Sequence, residues 1–158
     1  MALLPWLPLL ASVAHMTEEF VWPGGFIPWY RRYRPKIAAS VTPSFLFKLN
    51  AAQVGAATAA GLVGMSPRGA AFWLTLVALL GGNGLFHVIA TVRGRQYSPG
   101  VVTGVLLYVP LAVIGYTYVL RHHLASGGSA IVAAALGLSY PLLSTALHRR
   151  RVAQGPAS

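Results

Sequence analysis

Cysteine is absent from the 158 residues. That excludes disulfides and thiolate metal sites and leaves the redox compartment open. Acidic side chains are almost absent too: Glu18 and Glu19 stand alone against twelve Lys and Arg. Charged residues make up 9% of the chain and hydrophobic ones 56%, whereas a soluble domain carries about a quarter charged residues. So little charge cannot cover the surface that a soluble protein of this size would expose. Two carboxylates are also too few for a four-helix dinuclear metal centre. There is no phosphate-binding loop, dinucleotide fingerprint or serine nucleophile elbow. The net charge of +10 does not read as a nucleic-acid footprint, because the basic residues fall between long apolar runs and follow membrane topology.

What is present is a series of apolar segments near the length of about 20 residues that a bilayer crossing requires. The expected fold is all-α: a polytopic membrane protein with five transmembrane helices in one bundle. One domain covers residues 1–152, with helices at about 3–21, 43–63, 67–92, 99–120 and 129–147, and a disordered tail covers 153–158. A cleaved signal peptide competes for the first run, since Ser12-Val13-Ala14 resembles a cleavage site. Against it, the basic n-region is missing, and Pro5 and Pro8 interrupt the apolar core. Thr42-Pro43, Ser66-Pro67 and Ser98-Pro99 each pair a capping hydroxyl with a first-turn proline. Pro110 and Pro141 predict kinks. Between the first two helices, Phe26 to Lys36 interleaves aromatic and basic residues, as expected of a connector lying at headgroup depth.

Ten of the twelve basic residues fall in connections on one side: Arg31, Arg32, Arg34, Lys36, Lys48, Arg93, Arg95 and Arg149 to Arg151. Arg68 and Arg121 are left for the other. This bias predicts an N-terminus outside and a C-terminus in the cytoplasm, with the plasma membrane of a bacterium as the expected location. The same topology puts the polar intramembrane residues in one layer. His15, Glu18 and Glu19 fall near the cytoplasmic end of the first helix and Asn83 and His87 near that of the third. Asn50 and Gln53 fall in the first half of the second.

Within His15-Met16-Thr17-Glu18-Glu19, helical spacing puts the imidazole and both carboxylates within one turn. Buried carboxylates at the negative end of a helix dipole require compensation. Three readings follow. A divalent metal, zinc or iron, would take His15, Glu19 and His87 as ligands with Asn83 or Glu18 completing the set. Glu18, Glu19 and His87 are then the candidate catalytic groups, Glu18 as general base. Without a metal, a protonated Glu and a His acceptor suit isomerase or cyclase chemistry on an isoprenoid or sterol-like lipid. In a purely structural protein, a transporter or scaffold, the Glu pair would instead neutralise Arg31, Arg34 or Arg93. Membrane lipids and a hydrophobic substrate are the expected partners, with no nucleic acid. Asn50, Gln53, Arg93 and Tyr97 are further site candidates, Arg93 suiting an anionic headgroup. Tyr97, Tyr108 and Tyr140 also suit an aromatic belt or packing, and His148 suits a cytoplasmic anchor.

The signature His15-Met16-Thr17-Glu18-Glu19, with Asn83, His87 and Arg95-Gln96-Tyr97-Ser98-Pro99-Gly100, resembles the HXXEE-domain membrane proteins over most of the chain. That resemblance implies a site and no reaction. In architecture and His/Glu chemistry the chain is also loosely similar to small five-crossing sterol isomerases.

Overall fold

The computed structural model describes residues 3–154, and within them every regular element is helical. A short 3-10 turn, Leu4–Trp6, leads into α1, Leu7–Phe20. Trp22, Pro23 and two glycines with positive φ, Gly24 and Gly25, reverse the chain into the short α2, Phe26–Tyr33. A 3-10 segment, Pro35–Ser40, connects to α3, Pro43–Val63. Then come α4, Pro67–Gly94, α5, Val101–Arg121, and α6, Gly127–Ala153. The caps expected at Thr42 and Ser66 are present, accepting from the amides of Phe45 and Gly69. The tail expected over 153–158 lies outside the described residues from 155 onward.

The helix α4 is the axis of the molecule, packing against α3, α5 and both halves of α6. Its neighbours reach it through glycine. A methyl group at Gly137 would lie 2.4 Å from the Thr75 carbonyl, and one at Gly84 would lie 2.9 Å from the Gly104 carbonyl. Such approaches bring backbones together where no hydrophobic effect between helices is available. Trp73, Leu74, Val77 and Leu80 on α4 are completely buried. Outward faces of α5 and α6 are greasy: Leu106 is 65% exposed, Ile131 72% and Leu142 75%. A continuous apolar exterior of this kind fits a lipid surround.

Three helices, α4, α5 and α6, are long and apolar enough to cross a membrane. The expected crossings at 3–21 and 43–63 do not meet that mark. The first run is helical over a 3-10 turn of 3 residues and the 14 residues of α1, at the short end of the lengths that cross a bilayer. In α3, Lys48, Asn50 and Gln53 dilute the apolar content. Both expected proline irregularities occur. Gly104–Tyr108, just before Pro110, forms a π turn inside α5, and α6 is interrupted at Ser139, two residues before Pro141.

Phe26, Trp29 and Tyr30 of α2 turn inward and are buried, while Arg31 and Arg32 face out. At this end of the bundle Arg34 donates to the Thr145 hydroxyl and Arg151 lies over the Phe45 ring. The connector, the start of α3 and the end of α6 thus converge.

Candidate functional site

One turn apart on α1, His15 and Glu19 project on the same face, and α4 brings His87 to meet them. Glu19 Oε1 lies 3.5 Å from His15 Nε2 and 3.3 Å from His87 Nε2. All three residues are buried, and their ligand-type atoms lie within 4.8 Å of one another. The two imidazoles meet edge to face with centroids 5.0 Å apart.

Each ring is held by its other nitrogen. His15 Nδ1 is 2.8 Å from the Thr103 hydroxyl, and His87 Nδ1 is 2.9 Å from the hydroxyl of Ser98, which is fully buried. A ring nitrogen engaged this way fixes the tautomer and points the second nitrogen, here Nε2 in both rings, at its target. Tyr108 stacks on His15 at 4.3 Å between centroids, and Trp29 covers His87 at 6.1 Å. Thr103 and Tyr108 can both face His15 because the π turn stacks residues five apart, where an α-helix would splay them.

Glu18 points the other way. Its Oε1 accepts from the Tyr97 hydroxyl at 2.6 Å and from the amides of Gly100 and Val102, both at 3.0 Å. Its Oε2 accepts from the Thr103 amide at 2.7 Å and from the Thr103 hydroxyl. Glu18 therefore caps the N-terminus of α5 from another helix. The carboxylate that seemed to oppose the dipole of α1 meets the positive end of α5, which favours it. Burial, and then the hydrogen bond to Glu18, raise the Tyr97 phenol above its ordinary pKa, so it stays a donor.

Gly100 closes the site. Its φ of +100° is a conformation that side chains disfavour. A Cβ there would sit 2.7 Å from His15 Cε1 and 2.9 Å from His87 Cε1. Glycine is thus required twice over, by the turn and by the rings beneath it.

The structure brings His15, Glu19 and His87 together, with Asn83 Nδ2 3.1 Å from His15 Nε2. Asn50 lines a cavity of about 50 Å³ beside His15 and Glu19. Gln53 lines the same cavity and donates to Ser12 and to the Tyr108 hydroxyl. Other expectations are corrected. With five donors on its two oxygens, Glu18 has no free lone pair for a ligand or base role. Arg93 is exposed, and the glutamates' partners are amides, hydroxyls and imidazoles in place of Arg31, Arg34 or Arg93. Ser98 does not cap α5, because its hydroxyl goes to His87. Tyr108, expected as a belt or packing ring, stacks on His15, and His148 is buried, 2.6 Å from Ser40. Tyr97, itself a site candidate, bonds Glu18. Thr103, Ser98, Gly100 and Tyr108 escaped the sequence reading of the site. The Tyr97-Ser98-Pro99-Gly100 run was visible but explicable as a helix start.

The arrangement offers two imidazole nitrogens and one carboxylate oxygen to a common point, a set that can hold a metal ion. No match is found among curated proteins or among solved structures. The family model described as "Protein of unknown function with HXXEE motif" matches residues 6–115, a stretch that contains the whole cluster and its supporting hydroxyls. The chain belongs to that family.

Proposed function

We propose that His15, Glu19 and His87 bind a divalent metal, zinc or iron, and that the protein is a metal-dependent membrane enzyme acting on a lipid or other hydrophobic substrate. The observation that carries this reading is the spacing. Bonds of about 2.0–2.2 Å to nitrogen and oxygen in a tetrahedral site put ligand atoms about 3.4 Å apart. The two distances from Glu19 to the histidines are 3.5 and 3.3 Å. A direct charged hydrogen bond would close to about 2.7–2.9 Å. With Nδ1 of each ring given to a hydroxyl, the cluster is electron-rich at its centre and needs a cation there.

Asn83 supplies the fourth position. Its amide oxygen and nitrogen differ only by assignment from the hydrogen-bond network. Turned over, Oδ1 stands 3.1 Å from His15 Nε2, again a ligand-to-ligand distance. A metal held by His15, Glu19 and His87 would supply Lewis acidity or an activated water there, and Asn83, the weakest donor of the set, would be the residue to give way to it.

A metal-free reading has its own support. A proton shared between Glu19 and His87 would also relieve the cluster and would suit isomerase or cyclase chemistry. Elemental analysis of the purified full chain in detergent decides between them. The expected result is about one zinc or iron per chain, lost in Glu19→Gln and in His87→Gln and kept in His122→Gln. A wild-type protein that takes up neither metal on reconstitution sinks the metal reading.

A further inference from the structure

Four cavities adjoin one another across the molecule, each sharing wall residues with the next. An apolar groove of about 450 Å³ between α1 and α3 opens on the outer surface near the exposed Phe47. It shares Met16, Phe20, Leu46 and Asn50 with the cavity beside His15 and Glu19. That cavity shares Asn83 and Tyr140 with one of about 70 Å³ whose far wall is Arg34 and Thr145. Arg34 and Thr145 in turn wall an outer basin of about 480 Å³, together with Lys36 and Arg149.

The two ends of this series differ in chemistry. The groove is built from Phe20, Ile27, Leu46, Phe47 and Val54 and holds no charge. The basin gathers three cations from the connector and from α6, with no carboxylate to balance them. Both acids of the chain are engaged at the inner site. Arg34 is half-buried, and its position is fixed by the Thr145 hydroxyl at 2.9 Å and by the Phe86 ring at 5.3 Å. A positive-inside bias accounts for exposed lysines and arginines. It does not account for a half-buried guanidinium held by a threonine at the junction of two cavities. Arginine presents a planar fork of five donors, and bonds to Thr145 and to Tyr30 still leave donors for phosphate.

We propose that the basin of Arg34, Lys36 and Arg149 binds the phosphate of an amphiphile whose apolar chain lies in the α1/α3 groove, so that the segment joining head to chain passes His15 and Glu19, the wall of the His/Glu cluster. The inference deepens the metal-enzyme reading, since it names the substrate class of that same site, a phosphate-bearing lipid. The same phosphate chemistry is offered by free inorganic phosphate, and the test separates the two.

The experiment uses the full chain in a neutral detergent, with binding read by thermal shift and native mass spectrometry. The probes are a long-chain phosphatidic acid, a diacylglycerol of the same chains and inorganic phosphate. Phosphatidic acid is expected to bind at least about tenfold tighter than either other probe, and Arg34→Gln to weaken it about tenfold. Arg34→Lys, which keeps the charge and tests folding, should fall between. Arg68→Gln with Arg121→Gln removes charge elsewhere and should leave binding unchanged. Equal binding by wild type and a folded Arg34→Gln overturns the proposal, as does equal binding of phosphatidic acid and diacylglycerol, or of phosphatidic acid and inorganic phosphate. Metal content is measured on the same samples. Retention of metal in Arg34→Gln is expected. A protein that selects phosphatidic acid yet takes up no metal sinks the metal reading alone, and one that takes up metal without that selectivity sinks this one alone.

Discussion

His15 and Glu18, three residues apart on one helix, are joined through a hydroxyl from another: Thr103 lies 2.8 Å from His15 Nδ1 and donates to Glu18 Oε2. The direction of the chain follows from its end. An ionised carboxylate can only accept, so the hydroxyl donates to it and its lone pair receives the His15 Nδ1 proton. The Nε2 lone pair of His15 then faces the centre of the cluster. Thr103→Val keeps the shape and removes the relay. It should weaken zinc binding by about 10–100-fold, the usual scale for losing an outer partner of a metal-bound histidine, while Thr103→Ser stays near wild type. Competition with a chromogenic chelator measures both. Unchanged affinity in Thr103→Val would show that His15 needs no such orientation.

The two acids of the motif have opposite duties, and stability separates them. Glu18 satisfies three backbone amides at the start of α5, and its loss strands the buried Gly100 donor at a cost of about 1–3 kcal/mol, with less for the two part-buried ones. Glu19 faces two imidazole nitrogens, and without a cation its charge is largely a liability. In metal-free protein, Glu18→Gln should therefore lower the thermal midpoint more than Glu19→Gln does. Adding zinc should raise the wild-type midpoint, since a hundredfold excess over Kd stabilises the fold by about 2.7 kcal/mol, and leave that of Glu19→Gln unmoved. The reverse order of midpoints in the metal-free pair would refute this division of labour.

Gly100 and Gly25 share a left-handed backbone, with φ of +100° and +84°, but differ in what surrounds them. A Cβ at Gly25 meets nothing within 4 Å, and one at Gly100 meets both imidazoles. Gly25→Ala should cost only the backbone strain, about 1–2 kcal/mol. Gly100→Ala carries the same strain and also pushes the rings apart. Metal affinity is the discriminating readout, expected to drop at least about tenfold in Gly100→Ala and not at all in Gly25→Ala. Parallel behaviour of the two variants in that assay would mean that the contact with the rings is immaterial.

How much of this was legible in the sequence depends on the range of the interaction. His15 and Glu19 are four apart, and helix periodicity alone puts them on one face. His87 and Asn83 joined them because charge bias assigns depth to each segment, and depth turned out to be enough to bring α1 and α4 to one level. The role of Glu18 was not legible. Its partners lie more than 75 residues away in sequence, and no local rule says that a carboxylate at one helix's end will cap another's start. Ser98 misled for a related reason, since a serine before proline is a sound cap signal and only the tertiary arrangement diverts its hydroxyl to His87. The inward turn of Phe26, Trp29 and Tyr30 was missed because aromatic rings serve equally at a headgroup belt and over a buried imidazole. Of the five crossings expected from apolar runs, three fall on helices that are long and apolar enough to cross a membrane, because apolar content alone does not reveal how far each run is helical.

The close approach of α4 and α5 ties the two halves of the site together. His87 rides on α4 and Thr103 on α5, and the helices touch at Gly84 and Gly104, where a Cβ on either would come within 2.9–3.0 Å of the other's backbone. Gly55 on α3 is a useful contrast, since a Cβ there meets nothing within 4 Å. Replacing a helical glycine by alanine stabilises by about 0.5–1 kcal/mol when space is free, because the unfolded chain loses freedom. Gly55→Ala should therefore leave the thermal midpoint equal or higher, with metal content untouched. Gly84→Ala should go the other way in both readouts. Backbone cannot rotate aside as a side chain can, so α5 must move off α4 and take Thr103 away from His15. The opposite sign of the two shifts is the test. If Gly84→Ala were as benign as Gly55→Ala, the helices would have slack at this point, and the geometry of the His/Glu cluster would not depend on their contact.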